Sequence, residues 1–315
     1  MKIVLLDALT LGDLKEINDF SQFGELTVFR FTKPDETIDR IENADIVITN
    51  KVVIDKNVMD KSPSLKLICV AATGTNNIDL EYAEKKNILV KNVKGYSTDS
   101  VAQHTFSLML HILNHVDYYD QYVKSKGYSN SGIFTHHAKP VYELKGMKLG
   151  IIGLGAIGER VAEIASVFGM QIIYYSTSGF NSNSKYKKVS LEQLLVESDI
   201  ISIHAPLNEK TKNLISYKDL KQMKSSSIIL NTGRGGIINE RDLAKALDEN
   251  LIRAAALDVF EKEPISAENP LLMIRDKEKL LLTPHIAWAS VEARQELVKG
   301  ISNNINSFIQ ASVKV

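Results

Sequence analysis

A histidine, an arginine and a carboxylate stand where this sequence can do chemistry. His285 follows Thr283-Pro284 at the end of an apolar run and is a candidate for proton transfer, imidazole being the side chain that titrates near neutral pH. A carboxylate beside it, such as Glu263, would stabilise the imidazolium and raise its pKa; a core histidine is the alternative. Arg234 lies in Asn231-Thr232-Gly233-Arg234-Gly235-Gly236. Its planar fork matches a carboxylate bidentately, which a lysine cannot do, and the glycines would let backbone and substrate come close. An ordinary surface charge is the competing reading.

A fourth feature supplies a partner for these groups. Residues 149–152 are apolar, break into Gly153-x-Gly155-x-x-Gly158, and resume with helical spacing at Ile157, Val161, Ile164 and Ala165. Strand, tight turn and helix are the context a dinucleotide fingerprint requires. Gly153 permits the turn, Gly155 lets the backbone approach a pyrophosphate, and Gly158 lets helix and strand pack closely. The helix start then offers N–H groups to the phosphates. A plain strand-to-helix turn is the alternative. Asp258, at the end of another apolar run, would accept a hydrogen bond from a nicotinamide amide or cap a helix.

The next strand, 171–175, runs into Ser176-Thr177-Ser178-Gly179, where an acid would normally bind the ribose 2′-hydroxyl of NAD. No carboxylate is present. Three hydroxyls can bond a phosphate, and Lys185, Lys187 and Lys188 lie downstream, with no arginine placed to clamp it. NADP is therefore allowed, and slightly favoured. Two earlier loops are candidate anion contacts. Ala72-Thr73-Gly74-Thr75-Asn76-Asn77 presents consecutive backbone N–H groups that can receive a carboxylate, a polar turn being the alternative. Lys51 follows the 46–49 run and is either an anion contact or simply solvated.

Other groups read as structural. His104, His111 and His115 come with no Cys or acidic cluster and are read as structural or exposed, not as metal ligands; no metal is expected. Cys69, the single cysteine, sits in an apolar run and reads as a buried core thiol. With 38 basic and 38 acidic side chains the chain is balanced, which argues against nucleic acid or an anionic membrane as partner. No apolar run approaches the ~20 residues that span a bilayer. The N-terminus leads straight into a short strand rather than a leader, so the cytoplasm is the expected compartment.

The elements that must position these groups follow from hydrophobic patterning. The chain of 315 residues suits about two domains. Strands are predicted at 3–6, 25–29, 46–49, 67–70, 88–91, 149–152, 171–175, 199–204, 227–231, 254–258 and 280–283. Helices are predicted between the early strands at 11–20, 36–44, 57–61 and 80–86. Such alternation implies parallel sheets with helices on their faces. Ser100-Val101-Ala102-Gln103 reads as a capping box opening a long helix. Its apolar residues, Phe106, Leu108, Met109, Ile112 and Leu113 among them, would pack in the core or bury in a dimer. Residues 122–143 read as a polar, irregular excursion, and 290–310 as a helix with Leu297, Ile301, Ile305 and Phe308 on one face.

Taken in order, seven stretches resemble the D-isomer-specific 2-hydroxyacid dehydrogenase family: Ala72–Asp79, Ser100–Gln103, the glycine turn, His204-Ala205-Pro206-Leu207, Asn231–Gly235, Ala256–Phe260 with Glu263-Pro264, and Thr283–Trp288. The wording of the first and last is most similar to the glycerate dehydrogenase, or hydroxypyruvate reductase, branch. The resemblance implies two doubly wound α/β domains, Rossmann-like and flavodoxin-like, with a cleft between them. One would be a discontinuous substrate domain of residues 1–99 plus 287–315, the other a dinucleotide-binding domain of residues 100–286. It implies a homodimer, and a small 2-oxo acid, hydroxypyruvate or glyoxylate, as substrate. Arg234 would hold the substrate, His285 would exchange the proton, and Glu263 would orient and charge His285. Thr73, Gly74 and Thr75 would bind the carboxylate, and Lys51 and Trp288 would shape the pocket. NAD or NADP would lie against Gly153, Gly155, Ala156, Ile157, Gly158, Ser176, Thr177, His204, Ala205, Pro206, Thr232, Gly233, Asp258 and His285. Ser176 departs from the family's usual acid. Alternatives are D-lactate or phosphite oxidation on the same scaffold, or a nucleotide-sensing protein like the corepressors that resemble this family.

Overall fold

The computed structural model describes residues 1–180 and 183–313. The chain divides into two compact units, Met1–Ser97 with Trp288–Val315, and Thr98–Ala287. In the first unit the apolar runs become five parallel strands: β1 (Lys2–Leu5), β2 (Glu25–Val28), β3 (Ile46–Thr49), β4 (Leu67–Val70) and β5 (Leu89–Asn92), in the order β2-β1-β3-β4-β5. The inner strands β3 and β4 are buried along their whole length, as a sheet covered on both faces demands. The edge strands β2 and β5 are half polar and have no buried residue. One face is closed by the helix Val291–Val313. Leu297, Ile301 and Ile305, four residues apart, are each 0% exposed and pack against Ile3, Leu5 and Phe20. Each such side chain contributes ~1.5–3 kcal/mol by burial. Cys69 lies in the same layer, and burial pushes its thiol up to about 12, so it stays protonated and inert.

The second unit carries seven parallel strands: β6 (Lys148–Ile152), β7 (Gln171–Tyr175), β8 (Lys187–Lys188), β9 (Ile200–Ile203), β10 (Ile228–Asn231), β11 (Ala254–Leu257) and β12 (Leu280–Leu282). Their order is β12-β11-β10-β9-β6-β7-β8. Read from the other edge, this is the doubly wound order, with the strand sequence reversing between β6 and β9. The helices Thr98–Asn114 and Ala156–Val167 cover one face, where Phe106, Met109, Val161 and Ala165 share a core with Leu149 and Ile151. The apolar residues Phe106, Leu108, Met109, Ile112 and Leu113 of the long helix thus pack in the core of their own unit rather than facing a second copy.

Several expectations need correction. Ser100 is not the cap of the long helix. That helix starts at Thr98, and the Ser100 hydroxyl donates to the carbonyl of Ala287 at 2.6 Å. The 11–20 helix is a 3₁₀ helix at Lys15–Phe23, and 36–44 divides into a 3₁₀ turn and a five-residue helix, Thr37–Ile41. Residues 122–143 are not wholly irregular. A helix at Val116–Lys124 follows His115, whose φ of 49° breaks it from the preceding one. Tyr122 of that helix stacks on the His136 ring with centroids 3.7 Å apart.

Candidate active site

The glycine turn is built as its spacing requires. β6 ends at Ile152, and Gly153 follows with φ +93°, where a Cβ would lie 2.8 Å from the backbone nitrogen of Ala205. A Cβ on Gly158 would lie 2.4 Å from the Gly153 carbonyl oxygen, so neither position admits a side chain without moving backbone. At Gly155 an added Cβ would meet nothing within 4 Å among the described residues. Gly155 is the N-cap of the helix Ala156–Val167 and has no side chain of its own to bond the first N–H groups. Open space at Gly155, beside the first N–H groups of a twelve-residue helix, is the arrangement that accepts a pyrophosphate. These residues therefore fit a dinucleotide.

β9 runs beside the turn and leads into His204-Ala205-Pro206. The His204 N–H donates to the Ile152 carbonyl at 2.9 Å. Its ring bonds Ser202 on the same strand face at 2.8 Å and Thr232 at 3.4 Å. Thr232 in turn meets the buried Thr105 hydroxyl of the long helix at 3.1 Å. Burial pushes the His204 imidazole down to about 4, so it is a neutral hydrogen-bonding group at neutral pH. The sign of the stability effect follows. Below the ordinary imidazole value of 6.5 the unfolded chain binds a proton that the folded chain refuses. The contribution is therefore fully present above pH 6.5 and is lost as pH falls toward 4. Urea titrations are expected to show up to about 2 kcal/mol less stability at pH 5 than at pH 7.5 from this group, an upper bound because the ring is only partly covered. A His204→Asn variant should lose that part of the pH slope.

β7 leads to Ser176, which is 5% exposed, with its hydroxyl 3.5 Å from that of Ser178. The Lys188 ammonium donates to the Gly179 carbonyl at 2.8 Å, bringing a cation to this loop.

Arg234 follows β10. The Asn231 side chain pins its loop, accepting from the Gly233 N–H at 3.0 Å and donating to the Arg234 carbonyl at 2.9 Å. The loop lies tight against the next one, since a Cβ on Gly235 would fall 1.9 Å from the Phe260 carbonyl oxygen. The guanidinium side chain is exposed, with one nitrogen donating to the Gly233 carbonyl at 2.8 Å.

β11 leads to Asp258 and, after a turn, Glu263. One Glu263 oxygen accepts from the Phe260 N–H at 3.0 Å, and the other lies 2.7 Å from His285 Nδ1. An ionised carboxylate only accepts, so Nδ1 carries the hydrogen and Nε2 is the nitrogen left for proton exchange. The two side chains are 23% and 31% exposed, screened but reachable. The His285 backbone is in the left-handed region, φ 54°, a conformation that other bonds must hold. Its N–H donates to the Asp258 carbonyl at 2.8 Å. The buried Asp258 carboxylate accepts from the N–H groups of Ile286 at 2.9 Å and Ala287 at 2.8 Å, and from the Thr283 hydroxyl at 2.6 Å. His104 reaches the same cluster, 3.1 Å from the Thr283 hydroxyl and 3.6 Å from Asp258. Asp258 thus holds both ends of the turn that carries His285, in addition to any part in binding a nicotinamide amide.

The second unit therefore gathers Gly153, Gly155, His204, Ala205, Thr232, Arg234, Asp258, Glu263 and His285 at the carboxyl end of one parallel sheet. Lys51 and Thr73-Gly74-Thr75 belong to the first unit, after β3 and β4. Asn92 donates to the Thr73 carbonyl at 2.5 Å, and Trp288 meets Tyr96 edge-on at 6.2 Å. Sequence reasoning missed the parts played by Thr283, Thr105 and Ser202, and read His104 as structural or exposed without naming its partners, Thr283 and Asp258. Thr283 carried a signal in its place beside Pro284-His285. The others carried none, being ordinary residues inside a helix or a strand.

Residues 106–287 match the family model described as D-isomer specific 2-hydroxyacid dehydrogenase, NAD binding domain. A hydroxypyruvate reductase of Blautia hydrogenotrophica is 37% identical over 99% of this chain and 98% of its own length. A glycerate dehydrogenase of Methylorubrum extorquens is 35% identical over 98% of this chain and 96% of its own. Among solved structures, an acyclic imino acid reductase in complex with NADPH and D-Arg superposes with a TM-score of 0.86 and 31% identity, covering 99% of this chain and 98% of that one.

Proposed function

Because the chain belongs to the D-isomer-specific 2-hydroxyacid dehydrogenase family, we propose that it reduces hydroxypyruvate or glyoxylate to the corresponding 2-hydroxy acid, glycerate in its D form or glycolate. The observation that carries this reading is the 2.7 Å contact of Glu263 with His285 Nδ1, at the carboxyl end of the sheet that also bears the glycine turn. A dinucleotide with its pyrophosphate at Gly153, Gly155 and Gly158 would supply the hydride from its reduced nicotinamide. Arg234 pairs with the substrate carboxylate and the neighbouring carbonyl oxygen, fixing the carbonyl carbon and polarising it. His285 donates the Nε2 proton to the carbonyl oxygen as the hydride reaches carbon, and takes it back when the reaction runs in reverse. Glu263 keeps the imidazole in the orientation and tautomer that make this possible. Thr73, Gly74, Thr75, Lys51 and Trp288 are the remaining substrate contacts in this reading. The enzyme acts as a cytoplasmic homodimer in the same reading, and the exposed Ile133 and Phe134 offer apolar surface for a second copy.

The test is a steady-state screen of hydroxypyruvate, glyoxylate and pyruvate with NADH and NADPH. Hydroxypyruvate or glyoxylate should give the highest kcat/KM, and no turnover of either would overturn the assignment. For the cofactor we infer tolerance of NADP with a slight lean toward it, supported by Ser176, Thr177 and the Lys188 ammonium at Gly179. Ser176→Asp is expected to move the preference toward NADH by about tenfold or more, ~1.4 kcal/mol, because a carboxylate repels a 2′-phosphate. A native preference for NADH above about tenfold would defeat the lean.

A further inference from the structure

We propose that Asp7, in the first unit, is a positioning residue for substrate binding that acts through the Asn50-Lys51 loop. The proposal rests on Lys51 being a substrate contact. Asp7 follows β1 and the loop follows β3, the two neighbouring strands between which the order β2-β1-β3-β4-β5 reverses. That reversal is where an open parallel sheet forms its binding crevice. Asp7 is 3% exposed. One carboxylate oxygen accepts from the Asn50 N–H at 2.9 Å, and the other from the Lys51 N–H at 2.7 Å and the Thr49 hydroxyl at 3.3 Å. The loop is tied on its far side as well. Val52 N–H donates to Thr49 Oγ1 at 3.0 Å, and the Asn77 amide donates to the Val52 carbonyl at 2.9 Å. The segment bearing Lys51 is thereby joined to the segment bearing Thr73-Gly74-Thr75.

Two consequences follow. The N–H groups of Asn50 and Lys51 are already engaged by a carboxylate, so any attraction for an anion from residue 51 comes from its side chain. The direction in which that side chain leaves the backbone is fixed by those same bonds. Asp7 is also a negative charge placed where an anionic substrate would be drawn. By Coulomb's law alone its removal would tighten anion binding, whereas a positioning role requires binding to weaken. The sign of the change separates the two.

The experiment uses the full-length enzyme with hydroxypyruvate and glyoxylate as probes and compares Asp7→Asn, Lys51→Ala and the double variant. Cofactor affinity is read separately by nicotinamide fluorescence, since the glycine turn lies in the other unit. Lys51→Ala is expected to raise KM about tenfold, ~1.4 kcal/mol. Asp7→Asn should raise KM by a similar factor with kcat and cofactor affinity nearly unchanged, and the double variant should be no worse than Lys51→Ala. An unchanged or lowered KM in Asp7→Asn beside a raised KM in Lys51→Ala would overturn the proposal and leave the substrate reading standing. Additive losses would also overturn it. An unchanged KM in Lys51→Ala would remove both the substrate contact and the proposal built on it. If Asp7→Asn fails to fold, amide hydrogen exchange in the wild type decides. Protection of the Asn50 and Lys51 N–H groups supports the proposal, and exchange at the free-chain rate overturns it.

Discussion

His285→Ala is expected to lower kcat by about 10²–10⁴-fold, the range that a positioned acid or base supplies, while KM for the 2-oxo acid changes little. The alcohol oxygen that forms must receive a proton as hydride reaches carbon. Water can deliver it, but not from a fixed position, and the loss is about 2.7–5.5 kcal/mol in the barrier. Cofactor affinity should survive, because the glycine turn and the helix Ala156–Val167 do not depend on the imidazole. Glu263→Gln should fall between the variant and the wild type. The 2.7 Å contact to Nδ1 can then be made by an amide that donates as readily as it accepts, so both the tautomer and the ring orientation are lost in part of the population. Steady-state kinetics with stopped-flow measurement of the hydride step checks both variants. Wild-type kcat in His285→Ala would mean that the proton comes from elsewhere.

Arg234→Ala should cost more in kcat/KM than in kcat. Removing one partner of a bonded charge pair costs about 2–5 kcal/mol, so kcat/KM is expected to fall by roughly 30- to 5,000-fold. KM should carry much of that fall, because a guanidinium clamp on the substrate carboxylate would hold the ground state as well. Arg234→Lys should restore only a small part, a point charge being unable to make two parallel bonds. The loop itself should keep its shape, since Asn231 pins it through the Gly233 N–H and the Arg234 carbonyl and not through the guanidinium. A substrate in which the carboxylate is replaced by a neutral group gives the check: wild type and variant should converge on it.

The parallel sheets were legible because each inner strand is a short apolar run, and burial on both faces leaves no other pattern. β8 was not, being two lysines at a sheet edge with no apolar residue to betray it. The 3₁₀ helix Lys15–Phe23 and the Val116–Lys124 helix show the limit of periodicity. The first shares its spacing of apolar residues with an α-helix, and the second has no buried residue at all. At the candidate site, Arg234, Glu263 and His285 stood out because each lies in a loop after an apolar strand, and the structure brings Glu263 and His285 together. Hydrogen bonds that join segments far apart in sequence left no such mark. Asp7 reaches Lys51 across 44 positions and His104 reaches Thr283 across 179, and nothing local to either residue announces the partner.

The helix Val291–Val313 completes a core whose other half was made nearly two hundred residues earlier. On the ribosome, the amino-terminal ninety-seven residues therefore emerge without the layer that seals their sheet, and must wait. The contiguous middle segment, having all of its own core, can close first. Maturation is therefore expected to run against the usual amino-to-carboxyl order. Nascent chains arrested before the last helix emerges are expected to yield a protease-resistant fragment from residues 98–287 and none from the residues that precede it.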